Sequence, residues 1–587
     1  MFQSFEDATS PDQGPPRLKA LRQGLEDAKL DGFLIPRADA HQGEYVAPCD
    51  DRLAWLTGFT GSAGFCAVLA DIAGVFIDGR YRVQVKAQVD TGKFTPVAWP
   101  ETKAGPWLKE HLPASHKMAY DPWLHTNSEV EAIEKSGVTL IPSPNFVDQI
   151  WVDRPSPPKG KIIVQPLELA GETHADKRGR LAEHLKDATQ DAAVLTLPDS
   201  IAWLLNIRGT DIQRNPVPHC FAILHADASV DLFVTPEKLS DIGDHFGPEI
   251  RLHTPDVFLD TLANLKGTIR VDKTSAPAIV SQTVTADVVF EDDPCVLPKA
   301  CKNATEIEGA RSAHIRDAHA MVNFLAWLNL QQPGLTEIEV VTALEGFRAA
   351  TNALRDISFD TIAGAGPNGA IVHYRCTNTT NRAVQDGELL LVDSGGQYVD
   401  GTTDITRTVV MGLPTREQQE CYTLVLQGMI ALAMARFPRG VAGRDLDALA
   451  RAPLWRHGFD YDHGTGHGVG SYLCVHEGPA RISRISDVPL KPGMILSDEP
   501  GYYREGAFGI RIENLIVVQE APAMGDNRDQ LSFETLTWVP FDRRLILTDM
   551  LSPAERAWID AYHAQIADML DVTGDAQTWL QAATLPL

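Results

Sequence analysis

The chain has 587 residues, 44% hydrophobic and 22% charged; that is too long for one core and predicts about three to five folding units. The composition excludes a disordered chain, a collagen-like repeat and a disulfide-stapled miniprotein. Fifty-two Lys and Arg against 78 Asp and Glu leave a formal charge of −26, a field that repels phosphate backbones and anionic lipid and leaves room for cation sites, so neither nucleic acid nor membrane is an expected partner.

The opening stretch, Met1 to Pro16, is polar and acidic, with neither a basic n-region nor an apolar h-region. No apolar run approaches the ~20 residues of a membrane helix. The eight cysteines are scattered without a CxxC pair, and buried free thiols in a reducing cytoplasm are the expectation. Arg17 to Lys29 reads as a helix, and Gly32–Ile35 and Gly74–Ile77 read as strands. Arg154-Pro155-Ser156-Pro157-Pro158-Lys159-Gly160 is a stiff, helix-incompatible linker. After it the same grammar returns: a helix over Arg178–Leu185, then strands at Ala192–Leu197 and Asp231–Val234. Ala54-Trp55-Leu56 and Ala202-Trp203-Leu204 fall at equivalent points, so residues 1–154 and 160–296 are read as a duplicated α/β domain. From Thr305, with Ile315, Ala318, Val322, Leu325 and Leu328 at helical spacing, a third domain over 302–587 alternates helices with strand pairs.

That third domain holds the chemistry. Gly387–Asp393 is an apolar strand ending in an acid, Ser394-Gly395-Gly396 turns the chain, and Thr403–Val410 returns as a strand, so Asp393 and Asp404 are placed to meet. Leu496–Gly501 ends another strand, Tyr502–Phe508 is read as a loop, and Gly509–Asn514 starts the next, bringing Glu499 opposite Glu513. Between the pairs lies His463-Gly464-Thr465-Gly466-His467-Gly468-Val469-Gly470, a glycine-rich loop that lets backbone approach a neighbour closely. A single acid is ordinarily a turn residue or a surface ion pair. Four acids in two matched strand pairs around one histidine loop suit a hard-cation site, Mn²⁺ first, with Co²⁺ and Zn²⁺ as alternatives. Two ions about 3.5–4 Å apart activate a shared water and polarise a carbonyl.

These residues also carry a family resemblance. The stretches Val392-Asp393-Ser394-Gly395, Thr402-Thr403-Asp404-Ile405-Thr406-Arg407-Thr408, His463–Gly470, Glu499-Pro500-Gly501-Tyr502-Tyr503 and Gly509–Asn514 resemble the pita-bread metallopeptidases. The length and the tail from Leu536 to His563 are similar to the long cytosolic aminopeptidase P type. The resemblance implies an α/β chain of two creatinase/prolidase N-terminal-like domains and an α+β pita-bread catalytic domain. It implies that Asp393 chelates one ion, that His467 and Glu499 hold the other, and that Asp404 and Glu513 bridge them. All five are present, unlike in a metal-free relative such as creatinase. A bridging hydroxide would attack the first peptide bond, with Glu499 as proton shuttle and Arg511 orienting acids from behind. His373 and His476 match histidines that hydrogen-bond the scissile carbonyl, His463 a pocket histidine nearer the proline subsite, and Arg80 a substrate-contacting arginine. The implied substrates are peptides with proline in second place, and a homodimer is implied. The rivals are a prolidase, which cleaves only dipeptides, and a pita-bread binding module that has lost catalysis.

Three further motifs are set aside. Gly364-Ala365-Gly366-Pro367-Asn368-Gly369 fits the dinucleotide fingerprint, but a proline interrupts it and a strand-like Ala370–His373 is expected to follow where a helix should open. His463 and His467 share the i,i+4 spacing of a zincin helix, but glycines replace that helix. Asn303 and Asn378 fit glycosylation acceptors, which carry no meaning without secretion.

Overall fold

The computed structural model describes residues 1–113 and 117–587. The chain forms two compact units, Ala8–Val296 and a second made of Met1–Asp7 with Leu297–Leu587.

The first unit contains the predicted duplication. One half has strands β1 (Gly32–Pro36), β2 (Phe65–Leu69), β3 (Ala73–Ile77), β4 (Thr95–Ala98), β5 (Lys117–Tyr120) and β6 (Thr139–Pro142), in the order β4-β3-β2-β1-β5-β6. The other has β7 (Ala192–Leu195), β8 (Phe221–His225), β9 (Val230–Phe233), β10 (Ile250–His253), β11 (Thr268–Val271) and β12 (Asp287–Phe290), in the order β10-β9-β8-β7-β11-β12. Each sheet is antiparallel in its middle and parallel at both sides. Helices α1 (Gly14–Asp27) and α2 (Arg52–Thr57) in the first half correspond to α3 (His174–Asp187) and α4 (Pro198–Leu204) in the second. The repeated Ala-Trp-Leu step sits on α2 and α4. The central strands are near-continuously apolar because helices cover the sheets, as parallel crossovers require. Six cysteines are buried as expected; Cys301 and Cys474 are partly exposed.

In the second unit, Asn303 accepts from the backbone N–H groups of Thr305 and Glu306 and so caps helix α5 (Ala304–Asn329). The apolar stripe read from the sequence is its buried face: Ala318, Val322, Leu325 and Leu328 are in the core, with Ile315 packed against it. Helix α6 (Glu337–Ala349) packs on α5, and the same core takes in strands β13 (Ile362–Ala365), β14 (Leu389–Ser394) and β15 (Ile405–Val410), which form one antiparallel sheet. A six-stranded sheet contains β16 (Gly466–Gly468), β17 (Glu477–Ile482), β18 (Ile495–Asp498), β19 (Asn514–Ala521) and β20 (Gln530–Thr535), with Arg436–Pro438 at its edge. Met1–Asp7 belong to this unit: Gln3 exchanges two hydrogen bonds with the Thr361 backbone, and Phe5 packs on the core.

Three local expectations are corrected, the first at His463–Gly470, which is not wholly a loop because Gly466–Gly468 is a paired strand. Ala370–His373 is not a strand: Gly366–Ala370 is a short 3-10 turn following β13. Gly369 lies against Gly509, where a Cβ on the latter would come 1.7 Å from the Gly369 carbonyl oxygen, so the fingerprint glycines serve backbone packing. Tyr502–Phe508 is not a plain loop, since Gly501–Arg504 pairs antiparallel with Phe508–Arg511 as a hairpin.

Candidate metal centre

Each acid sits where a strand ends. Asp393 is near the end of β14, paired with Thr406 of β15, and Asp404 lies just before β15. Glu499 follows β18, and Glu513 fills the joint between the hairpin strand Phe508–Arg511 and β19. His467 is the middle residue of β16, which pairs with both β17 and β18. Gly466 permits that approach: a Cβ there would lie 2.0 Å from the Ser497 carbonyl oxygen.

Four of these side chains meet at short range, and Asp393 lies near enough for its charge to act on Glu499 and Glu513. His467 Nε2 lies 3.5 Å from Asp404 Oδ2 and 3.6 Å from Glu499 Oε1. Donor atoms of Asp404, His467 and Glu513 lie within 4.8 Å of one another. His467 Nδ1 donates to the Gly468 carbonyl at 2.9 Å, which fixes the ring with Nε2 facing the carboxylates. Asp393 accepts from Arg511 Nη2 at 2.5 Å, while its Oδ1 is buried without a hydrogen-bond partner, as is Glu513 Oε1.

The electrostatics of the cluster favour cations. Burial pushes the carboxyls of Asp393, Glu499 and Glu513 upward, and their mutual repulsion together with Asp404 adds to it, most strongly at Glu513. Burial opposes charge on His467, yet Asp404 and Glu499 outweigh it and lift the imidazole to about 9. Four ionised carboxylates sum to −4, which two divalent cations match. Orphaned oxygens in a buried carboxylate cluster, with one imidazole aimed inward, fit a two-ion site.

Of the other predicted residues, Arg511 reaches Tyr503 Oη at 2.6 Å as well as Asp393. Tyr503, lifted to about 12 chiefly by burial, donates to His463 Nε2 at 2.8 Å, and His463 Nδ1 donates to the Gly464 carbonyl. One directed chain thus runs from Arg511 to His463. His476 sets its ring edge-on to His467, centroids 4.3 Å apart. His373 is half-buried on the turn after Gly366–Ala370, and the carbonyl of its neighbour Val372 accepts from Arg511 at 3.4 Å. Arg80 belongs to the other unit, on the turn Gly79–Tyr81, where it pairs with Asp78 at 2.7 Å and lies over the Tyr81 ring.

Three partners escaped the sequence reading. Thr406 Oγ1 donates to Glu513 Oε2 at 2.8 Å, Ser497 Oγ donates to Glu499 Oε1 at 3.2 Å and accepts from the His467 N–H, and Tyr503 links His463 to Arg511. For Thr406 a signal existed: strand alternation puts it on the face of Asp404 two residues earlier.

Residues 308–520 match the profile of metallopeptidase family M24, residues 17–150 and 153–306 each match a creatinase/prolidase N-terminal domain, and residues 529–587 match the C-terminal region of peptidase M24. The chain is 37% identical to aminopeptidase P1 of Lotus japonicus, over 97% of this chain and 99% of that one. It is 38% identical to a probable Xaa-Pro aminopeptidase P of Laccaria bicolor, over 97% and 93%. The crystal structure of X-prolyl aminopeptidase from Caenorhabditis elegans, described as a cytosolic enzyme with a di-nuclear active site, superposes with a TM-score of 0.91 at 32% identity, covering 97% of this chain and 99% of that one.

Proposed function

This chain belongs to metallopeptidase family M24, within its aminopeptidase P branch, and from that membership we propose that it is a metal-dependent aminopeptidase hydrolysing the bond between a peptide's first residue and a proline in second place. Its fold is α/β, with two creatinase/prolidase N-terminal-type domains and a pita-bread catalytic domain. Our proposed division is 1–154, 160–296 and 302–587. The observation that carries the reading is the set of buried Asp393, Asp404 and Glu513 and half-buried Glu499 with the inward-facing His467 Nε2.

In this reading Asp393, Asp404, His467, Glu499 and Glu513 would together hold the two ions. Mn²⁺ is the proposed metal, ahead of Co²⁺ and Zn²⁺, because the donor set is oxygen-rich with one imidazole. When bound, the ions supply Lewis acidity, which acidifies water and polarises a carbonyl. Glu499 takes the proton of the attacking water and passes it to the departing proline nitrogen. The water oxygen bonds to the carbonyl carbon, the C–N bond breaks, and a free amino acid and a peptide beginning with proline remain. His373 and His476 donate to the carbonyl oxygen as it gains negative charge, His463 lines the proline side, Arg511 holds Asp393, and Arg80 contacts substrate. An X-Pro bond has no N–H, so a site built on cations and a ring pocket forfeits nothing that other peptidases need.

The test is chelation followed by reconstitution with Mn²⁺, Co²⁺ or Zn²⁺, assayed on an Arg-Pro-Pro-type peptide beside Gly-Pro. Cleavage of the longer peptide only after metal return is expected. Cleavage of Gly-Pro alone would make the protein a prolidase, and no cleavage of either would leave a binding module. A cytoplasmic location follows the description of the nematode relative; among the described residues no helix is long and apolar enough to cross a membrane. A homodimer completes the proposal, to be read by sedimentation velocity.

A further inference from the structure

A second group of buried charges lies beneath the proposed substrate histidine. Glu477 accepts from Lys299 Nζ at 2.8 Å and from Lys302 Nζ, and all three side chains are 1–2% exposed. Buried ion pairs add little net stability against well-packed apolar residues, because desolvation offsets their attraction. Three such charges, supplied by segments 175 or more residues apart, therefore point to a role in placement. What they place is specific. Glu477 directly follows His476, and its backbone pairs with Gly468, the residue after His467. The packing there has no slack: a Cβ on Gly468 would lie 2.2 Å from the Glu477 carbonyl oxygen. The lysine-bearing segment is clamped in turn against the strand leading to Glu499. The Lys302 N–H donates to the Gly493 carbonyl at 3.0 Å, Cys301 bridges to Met494, and a Cβ on Gly493 would lie 2.4 Å from the Lys302 carbonyl oxygen.

We propose that Glu477, held by Lys299 and Lys302, is the positioning residue for His476, so that the segment just before α5 sets where this histidine meets the substrate carbonyl. Anchored at both carboxylate oxygens, Glu477 cannot rotate, and the peptide unit it shares with His476 is held with it. Loosening that anchor lets the imidazole drift from the carbonyl, a displacement that acts on the transition state more than on substrate binding. The inference rests on the aminopeptidase reading, and the experiment separates the two.

In the metal-loaded full chain, Glu477→Gln keeps the size but removes the charge that holds two ammonium groups and replaces one accepting oxygen with an NH2 that cannot accept from a lysine. On an Arg-Pro-Pro-type peptide, kcat is expected to fall by about 10- to 100-fold, the range typical of outer partners of site residues, with KM within about twofold and metal content unchanged. In the His476→Ala background the same substitution is expected to cost less than about twofold, because the group it positions is gone. An unchanged kcat, or an equal loss in both backgrounds, overturns the proposal. If Glu477→Gln does not fold, Lys302→Met, which keeps the Lys299–Glu477 pair, carries the same comparison with the same criteria. A wild-type chain inactive on every Xaa-Pro peptide would sink the aminopeptidase reading instead.

Discussion

Thr406 offers the most direct test of how the metal centre is built. Its hydroxyl is fully buried, donates to Glu513 Oε2 at 2.8 Å and accepts from Arg511 Nε at 3.3 Å. Thr406→Val preserves the branched shape and strand propensity, so it leaves no cavity and removes only the hydroxyl. A hydrogen bond to a charged acceptor contributes about 1.5–3 kcal/mol, and each ~1.4 kcal/mol is tenfold in an equilibrium constant. The carboxylate that loses this donor already has Oε1 unpartnered and its ionised form disfavoured by burial and by Asp404, Glu499 and Asp393. The valine variant should therefore bind metal about 10- to 100-fold more weakly, read as the midpoint of activity regained when chelated enzyme is titrated with Mn²⁺. At saturating metal, kcat should return to within a fewfold of wild type, and Thr406→Ser should restore the midpoint. A valine variant with the wild-type midpoint, or a serine variant as weak as valine, would refute the reasoning.

Asp404→Asn should abolish turnover and lower bound metal, measured by elemental analysis; unchanged turnover would remove Asp404 from the mechanism. Gly466→Ala places a methyl 2.0 Å from the Ser497 carbonyl oxygen, between the strand of His467 and that leading to Glu499, and should cost about 1–3 kcal/mol in denaturant unfolding along with activity. In the other unit, burial and His219 depress His41 from 6.5 to about 3, while its ring lies against His219 and Phe221 with centroids 4.4 Å apart. A depressed histidine is neutral in the folded state while the unfolded chain takes up a proton. Its contribution is therefore fully present above pH 6.5 and is lost as pH falls from 6.5 toward 3. His41→Phe should flatten the decline in that unit's stability between pH 6.5 and pH 4 by about 3 kcal/mol, measured by urea unfolding at the two pH values.

Particular elements show where sequence reasoning reached and where it stopped. The α5 stripe and the repeated α/β pattern are visible because periodicity and short repeats are local signals. Ala370–His373 reads as a strand because its run is apolar, while the structure turns the chain there, where Gly369 lies in close contact with Gly509, 140 positions away. Tyr502–Phe508 reads as a loop because the register pairing Gly501 with Arg511 leaves no alternation long enough to see.

The identities of the five proposed ligands follow from chemistry that tolerates few residue types, so acids at strand ends and a histidine among glycines could be picked out from the chain alone. Their supports, Arg511 excepted, could not. Thr406 meets Glu513 across 107 positions, Tyr503 meets His463 across 40, and Lys299 meets Glu477 across 178. Threonine, lysine and tyrosine carry no spacing rule at such distances, and ordinary strand and helix positions accept them freely. The sequence by itself determined which groups we propose to bind and react; tertiary packing alone decided which neighbours aim them, because burial removes water as the competing partner and leaves each buried charge only the groups that the fold brings to it.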